Sequence, residues 1–575
     1  MAVLGVVNPW VGSLRGLYQH SLAGNSENRG LDTPFAQQGY IPTDLDETIW
    51  PSLRDGQHRL VILTGNPGDG KTAFIQRLHQ QLQTEAGAHL VQVPPYADWE
   101  LAWADRSCTA LLDGSEGRDG LSALQRVSEF LHRLYGTPIQ RNVCGIMALN
   151  DGKLAQVVSQ LSAVYPFLSH AYRNGTASEA DCVVVDLKHR SLVGHDVRLD
   201  SEDTGFVGKT MAAWSQPEYW HACTTCSVAQ SCPIRFNASR FGTVQVQQRI
   251  RALFLIKHLE HTTRITIRDL RSRLAYALTG DLGCENVQAA LLHESDPNAW
   301  RRRHTLYELV FGEPKDELGL RYLDPAETLS PLADRWVTAQ LRASTSDMPP
   351  LTPLHNAQLW TDSDAHTGVA DGAAAWLRRA LFFESLPQPE GETVFGPPHW
   401  SNLLPYRHLD SWLNLLSREG LTTNDDLSLF TKGISAARGW AAGDPTGLVV
   451  ATASDPVRGV QVAKVVRSAS LHVERDKVAA GNSSIGLTDH VQLRYGEVAN
   501  LTIGLNLFEV LQRYAAGTMP GSDEYAAVLL ELQEFNARLE QAEVHALILA
   551  DARGRRWRVE RDGDTLHVRA EDDPT

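Results

Sequence analysis

Residues 60–72 constrain this chain more than any other stretch. They read Leu60-Val-Ile-Leu-Thr-Gly65-Asn-Pro-Gly-Asp-Gly70-Lys71-Thr72. A short apolar run leads straight into Gly-x-x-x-x-Gly-Lys-Thr, and Phe74, Leu78 and Leu82 then recur at helical spacing. Strand, glycine-rich loop and helix in that order make a cradle for phosphate. Backbone N–H groups of the loop wrap the anion, and the helix adds the positive end of its dipole. Gly65, Asn66, Pro67, Gly68, Asp69 and Gly70 would form the cradle. Lys71 would meet the β- and γ-phosphate oxygens as a point charge, and Thr72 would offer its hydroxyl to magnesium. The plainer account is a glycine-rich turn between strand and helix, but the apolar strand before it and the amphipathic helix after it suit a phosphate loop. ATP with magnesium is therefore the expected ligand.

At 575 residues the chain has room for several domains. Its 43% hydrophobic and 21% charged residues are those of a globular protein, not a disordered one. No apolar run reaches the ~18 residues of a membrane span, and the first residues lack the basic segment of a signal peptide. A cytoplasmic location is expected, and seven cysteines, three of them clustered, suit a reducing compartment. With 53 basic against 68 acidic residues the net charge is −15, which disfavours indiscriminate binding to a phosphate backbone. Any DNA contact would be local or made through a partner. Two basic clusters, Arg301-Arg-Arg-His304 and Arg553-Gly-Arg-Arg-Trp-Arg558, read first as solvated or ion-paired surface.

The fold class expected is α/β: a P-loop NTPase sheet, parallel and doubly wound, carrying an inserted zinc loop, a helical lid and scaffold, and a C-terminal α+β domain. The boundaries are a leader over 1–45, with a turn at Asn25–Gly30, then an ATPase core over 46–215 and a zinc-binding loop over 216–240. A helical lid follows over 241–330, a helical scaffold over 331–444 punctuated by Pro349-Pro350 and Pro397-Pro398, and the α+β domain over 445–575. Core strands are expected at 60–63, 89–93, 109–112, 144–149 and 182–187, with helices at 121–131 and 154–161. The stretch Gly39-Tyr-Ile-Pro42 reads as an extended segment of the kind that lies near adenine in AAA+ ATPases.

A hydrolase of this type needs an acid for magnesium and a group that orients water. Asp113, in Leu111-Leu-Asp-Gly-Ser-Glu116, is the preferred magnesium acid, with Glu116 as water activator. Asp151 and Asp186 are the alternatives, and each also reads as a strand-ending turn residue. Asn150, closing the apolar run Cys144–Leu149, sits where AAA+ enzymes carry sensor 1, although Asn150-Asp-Gly also spells a turn. Thr266 reads as a helix cap. Arg268, in the first turn it opens, stands as sensor 2 or as a surface arginine. A separate signal is His221-Ala-Cys223-Thr-Thr-Cys226-Ser-Val-Ala-Gln-Ser-Cys232-Pro. Three cysteines with a histidine just upstream supply four ligands for structural zinc. His221 and a distant donor both remain open as the fourth ligand.

Together the loop 65–72, the strand and Asn-Asp-Gly at 146–154, the stretch Val184–Val193, Cys223, Cys226 and Cys232-Pro with Asn237, and Thr266-Ile-Arg-Asp-Leu resemble a group of bacterial P-loop ATPases found in multi-gene defence clusters. That group includes the ATPase subunit of DNA-phosphorothioation-dependent restriction. The resemblance covers roughly the first 330 residues. It implies an ATPase subunit of an anti-phage complex, with nuclease, helicase or kinase partners, that remodels or activates a DNA-associated partner. The alternative is a slow nucleotide-controlled switch or scaffold that signals to an effector without acting on DNA. No nuclease motif is present, and oligomers are compatible with either reading.

Overall fold

The computed structural model describes residues 6–22, 30–136, 142–260, 264–343, 370–384, 399–418, 424–440, 447–475, 486–519 and 525–571. The turn expected from Asn25 and both proline pairs lie outside these residues. The chain separates into two compact units, one of Met1–Leu255, Thr263–Pro405 and Val478–Leu487, the other of Ile256–Thr262, Tyr406–Lys477 and Thr488–Thr575.

In chain order the first unit opens with helices α1 (Pro9–Arg15), α2 (Pro34–Gln38) and α3 (Asp44–Arg54), then β1 (Leu60–Thr64) and α4 (Lys71–Glu85). Strands β2 (His89–Leu90), β3 (Trp99–Trp103) and β4 (Arg106–Leu111) precede α5 (Ala123–Tyr135), β5 (Val143–Leu149), α6 (Asp151–Leu161) and α7 (Phe167–Asn174). The short β6 (Thr176–Ala177) and β7 (Cys182–Asp186) complete a seven-stranded sheet of order β2-β3-β4-β5-β1-β7-β6. Only the four central strands, β4-β5-β1-β7, run parallel. The sheet is therefore mixed, not parallel throughout. β3 and β4 are joined by Ala104-Asp105 alone, with Ala104 at φ +46°, and a two-residue link can only return the chain antiparallel. The strand expected at 89–93 pairs only over His89–Leu90, because Pro94-Pro95 ends the run.

Alternation along β1 decides the layering. Val61 and Leu63 face one side, packing with Phe74, Leu78 and Leu82 of α4 and Leu45, Ile49 and Leu53 of α3. Leu60 and Ile62 face the other, against Val127, Phe130 and Leu134 of α5 and Leu154 and Val157 of α6. Covered on both faces, β1 is buried at every residue, which is why its sequence reads as an unbroken apolar run. Asn150-Asp151-Gly152 is not a turn. Asn150 holds φ −80° and caps α6, so the helix expected from 154 begins at Asp151.

Beyond the sheet come α8 (Gly205–Trp214), α9 (Pro233–Phe241), α10 (Val244–Leu259), α11 (Ile267–Thr279), α12 (Cys284–His293), α13 (Pro297–Arg303) and α14 (Leu306–Leu309). The fully buried Asn237 pins three of them. Its Nδ2 donates to the carbonyls of Leu278 and His304, both at 3.0 Å, while its Oδ1 accepts from the Leu306 amide at 2.7 Å. The expected cap at Thr266 forms a reciprocal box with Asp269.

The second unit starts earlier than position 445. It takes in helices Leu409–Ser417 and Asn424–Ala437, because Trp412 and Phe430 pack on Phe508 and Trp440 shares a core with Val449 and Ala463. Strands β8 (Gly447–Asp455), β9 (Val460–Arg467), β13 (Ala546–Asp551), β14 (Arg556–Asp562) and β15 (Thr565–Glu571) form an antiparallel sheet of order β15-β14-β13-β9-β8. A second sheet holds β10 (Leu471–Arg475), β11 (Val491–Tyr495) and β12 (Ala499–Ile503). Among the described residues no helix is long and apolar enough to cross a membrane.

Candidate functional site

The C-terminal ends of the parallel strands converge on the loop between β1 and α4. Gly68 and Gly70 hold φ +98° and +84°, which L side chains rarely adopt. A Cβ on Gly68 would also lie 2.9 Å from the Cβ of Arg268 and from the Thr266 hydroxyl, so the glycine lets α11 touch the loop. The contact is direct, since the Arg268 amide donates to the Gly68 carbonyl at 3.2 Å. Lys71 opens α4 and folds its Nζ back onto the carbonyls of Gly65 (2.9 Å) and Asn66 (2.8 Å), which fixes the ammonium over the loop. Burial lowers the Lys71 pKa, opposed by Asp69, Asp113 and Asp151. Thr72 follows in the first turn, half-buried.

Asp69 braces the loop internally, its carboxylate accepting the Asn66 amide at 2.6 Å. Burial pushes its pKa up, against the pull of Arg190 and Lys71. Arg190 is a residue that the motif reading missed. It is buried, donates to the Asp69 carbonyl, and leaves its Nε without a partner. Arg264 is the second omission, for Asp69, Asp186 and Asp151 all act on it. Arg190 lies inside the stretch 184–193 that carries the resemblance but had no role assigned there, and Arg264 lies in none of the motifs. An isolated arginine after a strand carries no signal until the fold brings it to the loop.

The strand-end acids differ. Asp151 accepts from Thr64 Oγ1 at 2.7 Å and pairs with Lys188; burial raises its pKa, but those two contacts outweigh it and lower it overall. Asp186 stands opposite Thr64 in the β1–β7 register, accepts the Lys188 amide at 2.9 Å, and lies 3.6 Å from both Lys188 and His189. Asp113 lies two residues past β4, exposed, with its Oδ1 on the Ser115 amide at 2.7 Å and its charge felt by Lys71. Glu116 is exposed, and its backbone carbonyl accepts from Arg126 at 3.0 Å. Asn150 spends its amide oxygen on the Lys153 amide at 3.0 Å, and its own N–H reaches Ser115 Oγ at 3.4 Å.

A shallow cleft adjoins Gly70, walled by Gly39, Tyr40, Ile41, Phe74, Arg190 and Arg271 among others. The extended segment at 39–42 thus lies beside the loop. Arg271, one turn after Arg268, reaches this wall, while the Arg268 Nε is buried without a partner.

Of the expected zinc ligands, Cys223 lies on the 3-10 segment Pro217–Thr225, Cys226 directly after it, and Cys232 caps α9. His221 is exposed on the same segment, its carbonyl accepting the Thr224 hydroxyl at 2.7 Å. Among the described residues no three His, Cys, Asp or Glu side chains already stand at metal-ligand spacing. Two of the four arginines of the C-terminal basic cluster are ion-paired: Arg555 with Asp551 at 2.7 Å, and Arg558 with Glu560 at 2.6 Å. Comparison of the chain with protein-family models, with curated proteins and with solved structures gave no match.

Proposed function

We propose that this chain binds ATP with magnesium and hydrolyses it, as the ATPase subunit of a multi-protein defence complex. The observation that carries the nucleotide reading is the loop 65–72 between a central parallel strand and α4, with Lys71 Nζ held over it by two of the loop's own carbonyls. A cation fixed at the N-terminus of a helix, above a turn of positive-φ glycines, suits polyphosphate and little else. Tyr40, Ile41 and Phe74 wall the cleft beside Gly70 and offer apolar surface next to that phosphate site. In this reading Thr72 and Asp113 hold magnesium, Asn150 and Glu116 act on the γ-phosphate and its water, and Arg268 senses the nucleotide from α11. The test is magnesium-dependent ATP hydrolysis by the purified chain, with Lys71→Ala as control; a folded Lys71→Ala protein with full activity would refute it.

The defence role rests on the sequence resemblance, and turnover would then remodel or activate a DNA-associated partner. The switch reading draws support from one observation: Glu116, the residue assigned to the attacking water, is exposed to solvent. Turnover stimulated by DNA or by a DNA-bound partner favours the motor; a slow rate indifferent to both favours the switch.

A further inference from the structure

The cysteine cluster has a fourth member that sequence order hides. Cys284 is the first residue of α12, far along the chain from Cys232, yet Asn8 links it to Cys223. The Asn8 amide donates to Cys284 Sγ at 3.3 Å, and the Asn8 side-chain Nδ2 donates to Cys223 Sγ at 3.5 Å. Asn8 itself is buried and fixed, with Oδ1 on the Trp10 amide at 3.0 Å and Nδ2 also on the Tyr219 carbonyl at 2.9 Å. The thiols act on one another accordingly: Cys284 feels Cys223 and Cys226, and Cys232 feels Cys223 and Cys284.

We propose that Cys223, Cys226, Cys232 and Cys284 bind one zinc ion as four thiolates, with His221 outside the coordination shell. Three features of the site would offset part of the cost of burying thiolates. Asn8 directs N–H donors at Cys223 and Cys284. Such N–H···S contacts strengthen when the sulfur is charged. Both Cys232 and Cys284 sit at the start of a helix, where the dipole favours negative charge. Arg301 lies within electrostatic reach of Cys232 and would offset part of the double negative charge of a four-thiolate zinc.

The C-x2-C pair supplies the first two ligands at the spacing that structural zinc uses, and two helix starts supply the others. Among the described residues the sulfurs do not stand at coordination spacing, so binding would have to draw them in. Zinc displaces the four thiol protons to solvent, so binding tightens as pH rises. A closed shell of this kind leaves no site for water and would act as a staple, tying the 217–232 loop, α12 and the turn before α1.

The experiment measures metal in the full-length protein purified without added zinc or chelator, with His221→Ala, Cys284→Ser and Cys232→Ser beside it. About one zinc per chain is expected in the unchanged protein and in His221→Ala, with most of it lost from both cysteine variants. Cobalt-exchanged protein provides a check that does not depend on Cys284→Ser folding. Its absorption should be that of four sulfur ligands, unchanged in His221→Ala and shifted to a three-sulfur, one-nitrogen spectrum in Cys284→His. Metal-free unchanged protein, zinc retained in Cys284→Ser, zinc lost from His221→Ala, or iron with acid-labile sulfide in place of zinc would each overturn the assignment.

Discussion

The phosphate loop and the thiol cluster are both proposed as binding sites, and both stand on glycine- or proline-marked turns at helix starts, yet they are encoded in opposite ways. The loop is contiguous. Lys71 Nζ finds its partners five and six residues back, so eight consecutive residues contain the whole cradle. The thiol cluster is assembled: Asn8 and Cys284, 276 positions apart, meet across a hydrogen bond. A contiguous site depends on local backbone conformation and can be damaged without unfolding the protein. An assembled site exists only when its elements are docked, so its chemistry and the stability of the fold are one quantity.

The sharpest way to break that contrast is Lys71→Ala. Its ammonium contacts only loop carbonyls, so turnover should fall by roughly 10²–10³-fold, the cost of removing one preorganised group that meets developing charge. The melting temperature should stay within a degree or two. A large loss of stability would show that the loop is held together by Lys71 rather than by its glycines.

The next test moves to the core beneath the phosphate loop. Phe74 is buried on the α4 face of the sheet, and Phe74→Ala should destabilise the first unit by about 3–5 kcal/mol, read by denaturant unfolding. If nucleotide affinity of the still-folded fraction is unchanged, packing and phosphate binding are separable. A parallel loss of affinity would mean that the cleft beside Gly70, which Phe74 also lines, depends on that ring directly.

Truncation bears on the second unit in the same terms. Deleting 445–575 cuts through it, stripping Phe508 from Trp412 and Phe430 and β8 from Ser435, whose hydroxyl accepts the Val449 amide at 3.3 Å. Aggregated protein is the expected product, seen by size-exclusion chromatography. Monodisperse protein from that deletion would show that the two helices before 445 stand without their sheet.

How much of this was legible follows from the same distinction. Central strands β1, β5 and β7 were readable because burial on both faces leaves unbroken apolar runs, and the cap at Thr266 because its box spans four residues. β3 was not, since Trp99-Glu-Leu-Ala-Trp103 alternates with a buried Glu100 whose partner, Arg133 at 3.0 Å, lies on α5. The loop residues 65–72 could be named from spacing alone. Arg190, Arg264 and Cys284 could not, because what makes each of them a site residue is a neighbour brought from elsewhere in the fold.

Asn150 is the residue where the two modes overlap, and it gives the smallest but most discriminating effect. As the cap of α6 its Oδ1 binds the Lys153 amide, a contact worth about 1 kcal/mol on replacement by alanine. As a polariser of γ-phosphate it would use the amide N–H₂ at the other end of the same group. The two roles come apart in Asn150→Asp, because aspartate caps as well as asparagine but carries no donor and adds negative charge beside phosphate. Stability should therefore be nearly unchanged in Asn150→Asp and lowered in Asn150→Ala, while turnover falls in both. If Asn150→Asp keeps full turnover, the residue is a helix cap alone and the γ-phosphate must be met by another group. The buried, unpartnered nitrogens of Arg190 and Arg268 would then be the next to examine.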